Sequence, residues 1–178
     1  MKSEENLLWI DLEMTGLNFK KDKIIEVACI VTDKDLNILA MGPELPIKVS
    51  NLRLKRMDDW NKTHHNDSGL IKRIQEGGVP IKKAEQLILD FVKEYCIEGK
   101  TIMAGIGIFR DRQFIDNELP ALSKYLHYRM LDVSPLFQLQ SRWYPDIQWK
   151  AEQSAHRAMA DVIQSIEILK FFRKNIFK

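Results

Sequence analysis

The stretch that most constrains this chain is Leu7-Leu8-Trp9-Ile10-Asp11-Leu12-Glu13-Met14-Thr15-Gly16-Leu17, an apolar run into which two carboxylates are set. The run reads as a strand, and side chains on a strand alternate between its faces. Asp11 and Glu13 therefore share one face, while Ile10, Leu12 and Met14 share the other. Neighbouring carboxylates repel and an apolar strand desolvates them, so the pair is costly unless a proton or a cation neutralises it. Oxygen donors suit Mg²⁺ or Mn²⁺. Taken alone, the pair is more simply read as acids facing water on an edge strand.

After Gly16-Leu17-Asn18 and the charged loop from Lys20 to Lys23, the β-branched run Ile24 to Thr32 predicts a buried strand, and Asp33-Lys34-Asp35 turns it into a third strand over Leu36 to Ile47. Three strands joined by short turns form a meander. A helix is predicted from Asn51 to about Trp60, and a short one over Leu70 to Gln75. Gly77-Gly78-Val79-Pro80 breaks the chain, and Ala84, Leu87, Ile88, Phe91 and Val92 then make an amphipathic helical stripe. Thr101 to Gly105 reads as a short strand, Asp111 to Glu118 as a helix ending before Pro120, and His127 to Val133 as another strand. Ser134 is expected as the N-cap of a helix reaching Arg142, and Trp143 to Gln153 as a loop. The last helix is expected over Ser154 to Phe172, with Ala158, Val162, Ile166, Leu169 and Phe172 on one side. This order describes an α/β or α+β sheet covered by helices.

At 178 residues the chain fits one domain, residues 1–178, with 45% apolar and 29% charged residues, the balance of a folded globular protein. A net charge of +2 argues against a tail that coats long nucleic acid, so an anionic substrate would be held by a local site. Cys29 and Cys96 lie in apolar segments without ligand spacing and read as buried, reduced thiols. The acidic start, Met1-Lys2-Ser3-Glu4-Glu5, resembles neither a signal peptide nor a transit peptide, and no apolar run is long enough to span a membrane. A cytoplasmic protein is expected, or a mitochondrial one where a targeting segment has been removed.

Asp111 follows a short buried strand near a helix start, where a single acid is most often a cap. His156 and Asp161 lie five apart on the last helix, and in isolation such a pair is usually solvated. Together, D-x-E on the first strand, Asp111 after the fourth and H-x4-D on the last helix resemble the DEDDh 3′→5′ exonucleases of the ribonuclease H-like fold. Within that group the chain is similar to the oligoribonuclease family. The most specific blocks are Trp9 to Leu17, Thr32-Asp33 with Asp35-Leu36-Asn37-Ile38-Leu39-Ala40, Ser68-Gly69-Leu70, and His127-Tyr128-Arg129 with Leu131-Asp132-Val133-Ser134.

The resemblance implies a mixed five-stranded sheet, the three-strand antiparallel meander plus two further strands, flanked by helices. It implies two divalent cations, Mg²⁺ or Mn²⁺, with Asp11 bridging both, Glu13 and Asp161 on the one that activates water, and Asp111 supporting the other. His156 would be the general base, a role that a pKa near 6.5 suits. The resemblance further implies Leu17 as a wedge between two bases, Trp60 as a stacking surface and His65 near the substrate. Tyr128, Arg129 and Ser134 would close over the far end of a very short RNA, with Tyr128 reaching in from the second subunit of a homodimer. The expected activity is 3′→5′ hydrolysis of short single-stranded RNA oligomers to 5′-mononucleotides.

The chain departs from the family pattern in clusters. Ala104-Gly105-Ile106-Gly107 stands where an amide and a hydroxyl are usual, Ser134-Pro135-Leu136-Phe137 loses a hydroxyl and a cation, and Ala160-Asp161 keeps one of a usual pair of acids. The metal set is retained, while the grip on the substrate's far end is altered, so a weaker or broader preference among short oligomers is expected. Two alternatives stand beside the leading one. One is a DNA-directed exonuclease, against which the Trp60 to His65 and His127 to Arg129 blocks argue. The other is a catalytically weakened dimeric nucleic-acid-binding or interaction protein, which would have little use for a costly acid cluster.

Overall fold

In the computed structural model of the chain, which describes residues 2–150 and 157–177, the first elements are the strands β1 (Leu7–Met14), β2 (Ile24–Thr32) and β3 (Ile38–Pro46). All nine residues of β2 are buried, so it needs a neighbour on each edge and cover on each face. β1 and β3 flank it, both antiparallel. Three short helices follow, α1 (Asn51–Lys55), α2 (Asp59–Asp67) and α3 (Leu70–Gly77), then the long α4 (Ile81–Tyr95). The remaining elements are β4 (Ile102–Gly105), α5 (Ile108–Glu118), α6 (Pro120–Tyr125), β5 (Met130–Asp132), α7 (Ser134–Trp143) and α8 (Ala158–Asn175).

The strands form one five-stranded sheet in the order β3-β2-β1-β4-β5. β4 runs parallel to β1 and β5 parallel to β4, which gives the expected mixed sheet of a meander plus two strands. β1 lies at its centre, which removes the edge-strand reading of Asp11 and Glu13. One face carries Leu8, Ile10 and Leu12 with Val27, Cys29 and Val31 against side chains of α4, α5 and α6, including Ile88, Phe114 and Leu122. The other carries Trp9, Ala28, Ile30 and Ala104 against Ala158, Val162, Ile166 and Phe172 of α8. By alternation, Asp11 and Glu13 continue the Trp9 row toward α8.

Several boundaries differ from the sequence expectation, each for a local reason. The helix expected over Asn51 to Trp60 breaks after Lys55, and Asp58 caps a new helix by accepting the Asn61 amide at 2.8 Å. Trp60 therefore stands in the first turn of α2, and His65 is helical. Pro120 does not close the helical region but starts α6 at its first turn, where its missing N–H costs nothing. The strand expected from His127 shortens to Met130–Asp132, because the His127 ring accepts the Arg129 amide at 3.0 Å and turns the chain. Ser134 is the first residue of α7 and not its cap, which is Val133. The third strand starts at Ile38 because Asp33 holds the turn through the amides of Asp35 and Asn37, with buried Leu36 at φ 67°. The start expected for the last helix, Ser154, lies outside the described residues, as does His156.

Candidate active site

The site forms where the ladders around β1 run out. β4 pairs with β1 only from Leu7 to Trp9, and the β1–β2 register shifts between Glu13 and Met14. A notch is left at the carboxyl ends of the parallel strands, the place where open sheets of this kind bind ligands. From β4 the chain turns through Ile106 and Gly107, the latter at φ 61°, where a left-handed backbone suits glycine. α5 then brings Asp111 back over β1. The Leu12 amide, beyond the reach of β4, donates to Asp111 Oδ1 at 3.0 Å. Asp111 is thus a cross-element ligand of the β1 backbone and not a cap, the N-cap of α5 being Gly107.

Asp11, Glu13 and Asp161 converge, with one carboxylate oxygen of each within 4.8 Å of the others. Asp161 reaches the pair from the first turn of α8. Asp111 lies outside this group of three. Burial first, then the charges of Asp111, Glu13, Asp161 and Glu26, hold the Asp11 carboxyl well above the ordinary range. Burial, with Asp161, Glu26 and Asp111, pushes Glu13 up to about 8. Burial raises Asp111 to about 7, against the Leu12 amide and Arg110, which favour its charged form. Desolvated carboxylates that repel one another are what divalent cations relieve, and an all-oxygen donor set fits Mg²⁺ or Mn²⁺.

Glu26 is the acid that the sequence reading passed over. It sits opposite Glu13 in the β1–β2 register and is fully buried. Its carboxylate pairs with the Arg73 guanidinium and accepts the Ala158 amide at 3.2 Å, at the start of α8. Arg73 also reaches Glu44 at 3.2 Å, and Arg157 pairs with Glu44 at 2.6 Å. The first turn of α8, which carries Asp161, is thereby tied to β2, β3 and α3. The readable signal was a lone acid inside a nine-residue apolar strand, two residues before Ala28 on the same face.

The residues assigned to substrate are found in different states. Leu17 is 64% exposed on the loop after β1, and Arg110 donates to its carbonyl at 3.2 Å. Trp60 is 60% exposed and stacks on His64 with ring centroids 3.8 Å apart. His65 is buried, its Nε2 3.1 Å from the Met14 carbonyl and its Nδ1 3.9 Å from Glu13 Oε2, so it backs Glu13. Tyr128 is exposed, stacked on His127 and covered by the Arg129 guanidinium at 5.5 Å. The Ser134 hydroxyl donates to Asp132 Oδ1 at 2.7 Å and accepts the Gly107 amide at 2.6 Å, so it fastens the α5 turn to β5. Of the departures, Ile106 is partly exposed, Pro135 occupies the first turn of α7, and Phe137 packs edge-on against Phe172 in the α8 core.

The acid cluster stands at the end of the central strand of this sheet, and residues 8–169 match the exonuclease family RNase_T. The oligoribonuclease of Hydrogenovibrio crunogenus is 48% identical over 178 residues, spanning 99% of this chain and 97% of that protein. The mitochondrial oligoribonuclease of Mus musculus is 46% identical over 176 residues, 98% of this chain and 74% of that protein. The chain belongs to the oligoribonuclease family of exonucleases. Among solved structures, exonuclease I of Methylocaldum szegediense superposes with a TM-score of 0.75 at 20% identity, over 97% of this chain. The zinc-bound E. coli exonuclease I complex with single-stranded DNA gives 0.77 at 17% over 98% of this chain. The chain spans about 41% of each of those two proteins, and at such identities the likeness is one of fold.

Proposed function

We propose that the chain is a 3′→5′ exoribonuclease, one exonuclease domain over residues 1–178, that hydrolyses very short single-stranded RNA to 5′-mononucleotides. The convergence of Asp11, Glu13 and Asp161 within 4.8 Å carries this reading, in a chain 46–48% identical to oligoribonucleases. Asp11, Glu13, Asp111 and Asp161 hold two divalent cations, Mg²⁺ or Mn²⁺, which when bound supply the charge that acidifies water and stabilises the leaving 3′-oxygen. His156, outside the described residues, takes the proton from the attacking water. His65, buried behind Glu13, stands near the substrate. Leu17 wedges between bases and Trp60 stacks one of them without reading its identity. Arg129 grips a phosphate, and Tyr128 reaches the site of a second subunit in a homodimer.

Support for the exposed roles comes from Leu17, Trp60 and Tyr128, large apolar side chains left in solvent. No helix of the described residues is long and apolar enough to cross a membrane. The relatives include three named as mitochondrial, and the proposed compartment is the cytoplasm or the mitochondrion. Incubating a labelled diribonucleotide with the protein and Mg²⁺ or Mn²⁺ tests the function. Release of 5′-mononucleotide is expected, and tight binding without cleavage in either ion would favour a binding protein that has kept the fold.

A further inference from the structure

The helix α5 does more than carry Asp111. The loop between β1 and β2 is closed on itself at its base: the Thr15 amide donates to the Lys23 carbonyl at 2.9 Å, the Thr15 hydroxyl to Asp22 Oδ1 at 3.2 Å, and the Asn18 amide to Asp22 Oδ2 at 2.9 Å. These bonds leave Leu17 projecting, 64% exposed. Side chains of α5 then grip the loop from outside. Asn117 donates to the Phe19 carbonyl at 3.0 Å, and Glu118 accepts the Ile24 amide at 3.2 Å and pairs with Lys23 at 3.4 Å. Arg110 donates to the Leu17 carbonyl at 3.2 Å, and among the described residues no other hydrogen bond reaches Leu17. Arg110 lies two turns before Asn117 and Glu118, so one side of α5 supplies all these contacts. Two of the three residues hold the far end of the loop, and Arg110 holds the end that bears Leu17.

The next residue after Arg110 is Asp111, whose Oδ1 accepts the Leu12 amide at 3.0 Å, between Asp11 and Glu13. Consecutive residues of one helical turn thus fix the strand that carries the acids and the loop residue that carries the proposed wedge. A wedge between bases is useful only at a set distance from the reacting bond, because a misplacement on the order of 1 Å can cost about a hundredfold in rate. A guanidinium suits the span from helix to loop, since it presents several donors at the end of a long side chain and stays charged at every working pH. We infer that Arg110 is a positioning residue, which sets the place of Leu17 relative to the acid cluster and acts on the substrate through Leu17. The inference rests on the exoribonuclease reading above, in which Leu17 is the wedge. The Arg110 charge also favours the charged form of Asp111, a second route of action that would run through the cation.

A double-mutant cycle between Arg110→Met and Leu17→Ala separates the two routes. Fluorescence anisotropy measures binding of a labelled phosphorothioate diribonucleotide in saturating Mg²⁺, and cleavage of the unmodified diribonucleotide gives kcat and KM. Arg110 is exposed, so its replacement leaves the fold intact. Arg110→Met is expected to weaken binding about fivefold, the worth of one hydrogen bond, with a matching fall in kcat/KM. Arg110→Lys, which keeps a charged donor on a long stem, restores most of the affinity. In the Leu17→Ala background Arg110→Met is expected to add no further loss, to within about twofold, because the side chain that it places is gone. Equal losses in both backgrounds would overturn the inference and assign Arg110 to Asp111 and its cation. Unchanged affinity and kcat/KM in Arg110→Met would also overturn it. Leu17→Ala that binds as tightly as the parent would remove the wedge and the inference with it. Absence of cleavage by the parent, with the binding cycle as expected, would remove the exoribonuclease reading and leave Arg110 as the residue that positions Leu17 for binding.

Discussion

At the scale of single residues, each carboxylate in the notch repels its neighbours in the metal-free fold. Asp161 raises the pKa of both Asp11 and Glu13 by its charge. Replacing Asp161 with Asn is therefore expected to do two opposite things: to cut cleavage by at least about 10²-fold and to raise the melting temperature of the metal-free protein. A fall in that melting temperature would mark Asp161 as a structural acid. Trp60 gives the complementary case. It is 60% exposed, so Trp60→Ala should leave stability within about 0.5 kcal/mol. It should weaken RNA binding by roughly 5- to 150-fold, the worth of one stacked base, with equal loss across base sequences. A loss confined to one base identity in a binding assay would contradict stacking.

At the scale of elements, the site depends on how α8 is seated. Glu26 accepts from Ala158 at the helix start and pairs with Arg73, so the turn bearing Asp161 is anchored to the strand beside β1. Glu26→Ala leaves the Arg73 charge partly buried without that partner, and urea unfolding should show a loss of roughly 3 kcal/mol; a loss below about 1 kcal/mol would contradict the anchoring. This anchor also shows what could be read from the chain beforehand. The meander was legible, because β1 and β2 carry apolar runs bounded by turn residues. The convergence of Asp11, Glu13 and Asp161 was legible because these acids occur with Asp111 in a family order, although no one of them is informative alone. Glu26 was not, since a single acid in an apolar strand announces burial only when its partners, Arg73 and the Ala158 amide, are brought together by folding across long stretches of chain. The break before α2 was missed because Asp58 competes for the backbone only once the chain can turn there. Ser134 reads as a cap from sequence, yet Asp132 two residues earlier captures its hydroxyl.

At the scale of the whole molecule, the acid cluster couples stability to pH and to cations. Burial pushes Glu13 up to about 8 and Asp111 up to about 7, both above their values in an unfolded chain. Their protonated forms therefore favour the folded state, and that contribution is full at low pH and is lost as pH rises from about 5 through 8. Melting of the metal-free protein should shift downward across this window, by about 2–4 °C for each kcal/mol lost, while saturating Mg²⁺ should flatten the decline because the cation replaces the proton. A metal-free melting temperature that rises from pH 5 to 8 would contradict the electrostatic account. Cation-dependent removal of nucleotides from the 3′ end of short RNA can be followed in time on a 5′-labelled RNA seven-mer, with Mg²⁺, with Mn²⁺ and with chelator. A ladder that shortens one nucleotide at a time down to the labelled mononucleotide is expected with either cation, with no cleavage in chelator and none with Asp11→Ala. Internal cuts, shortening from the 5′ end, or undiminished cleavage by Asp11→Ala would contradict it.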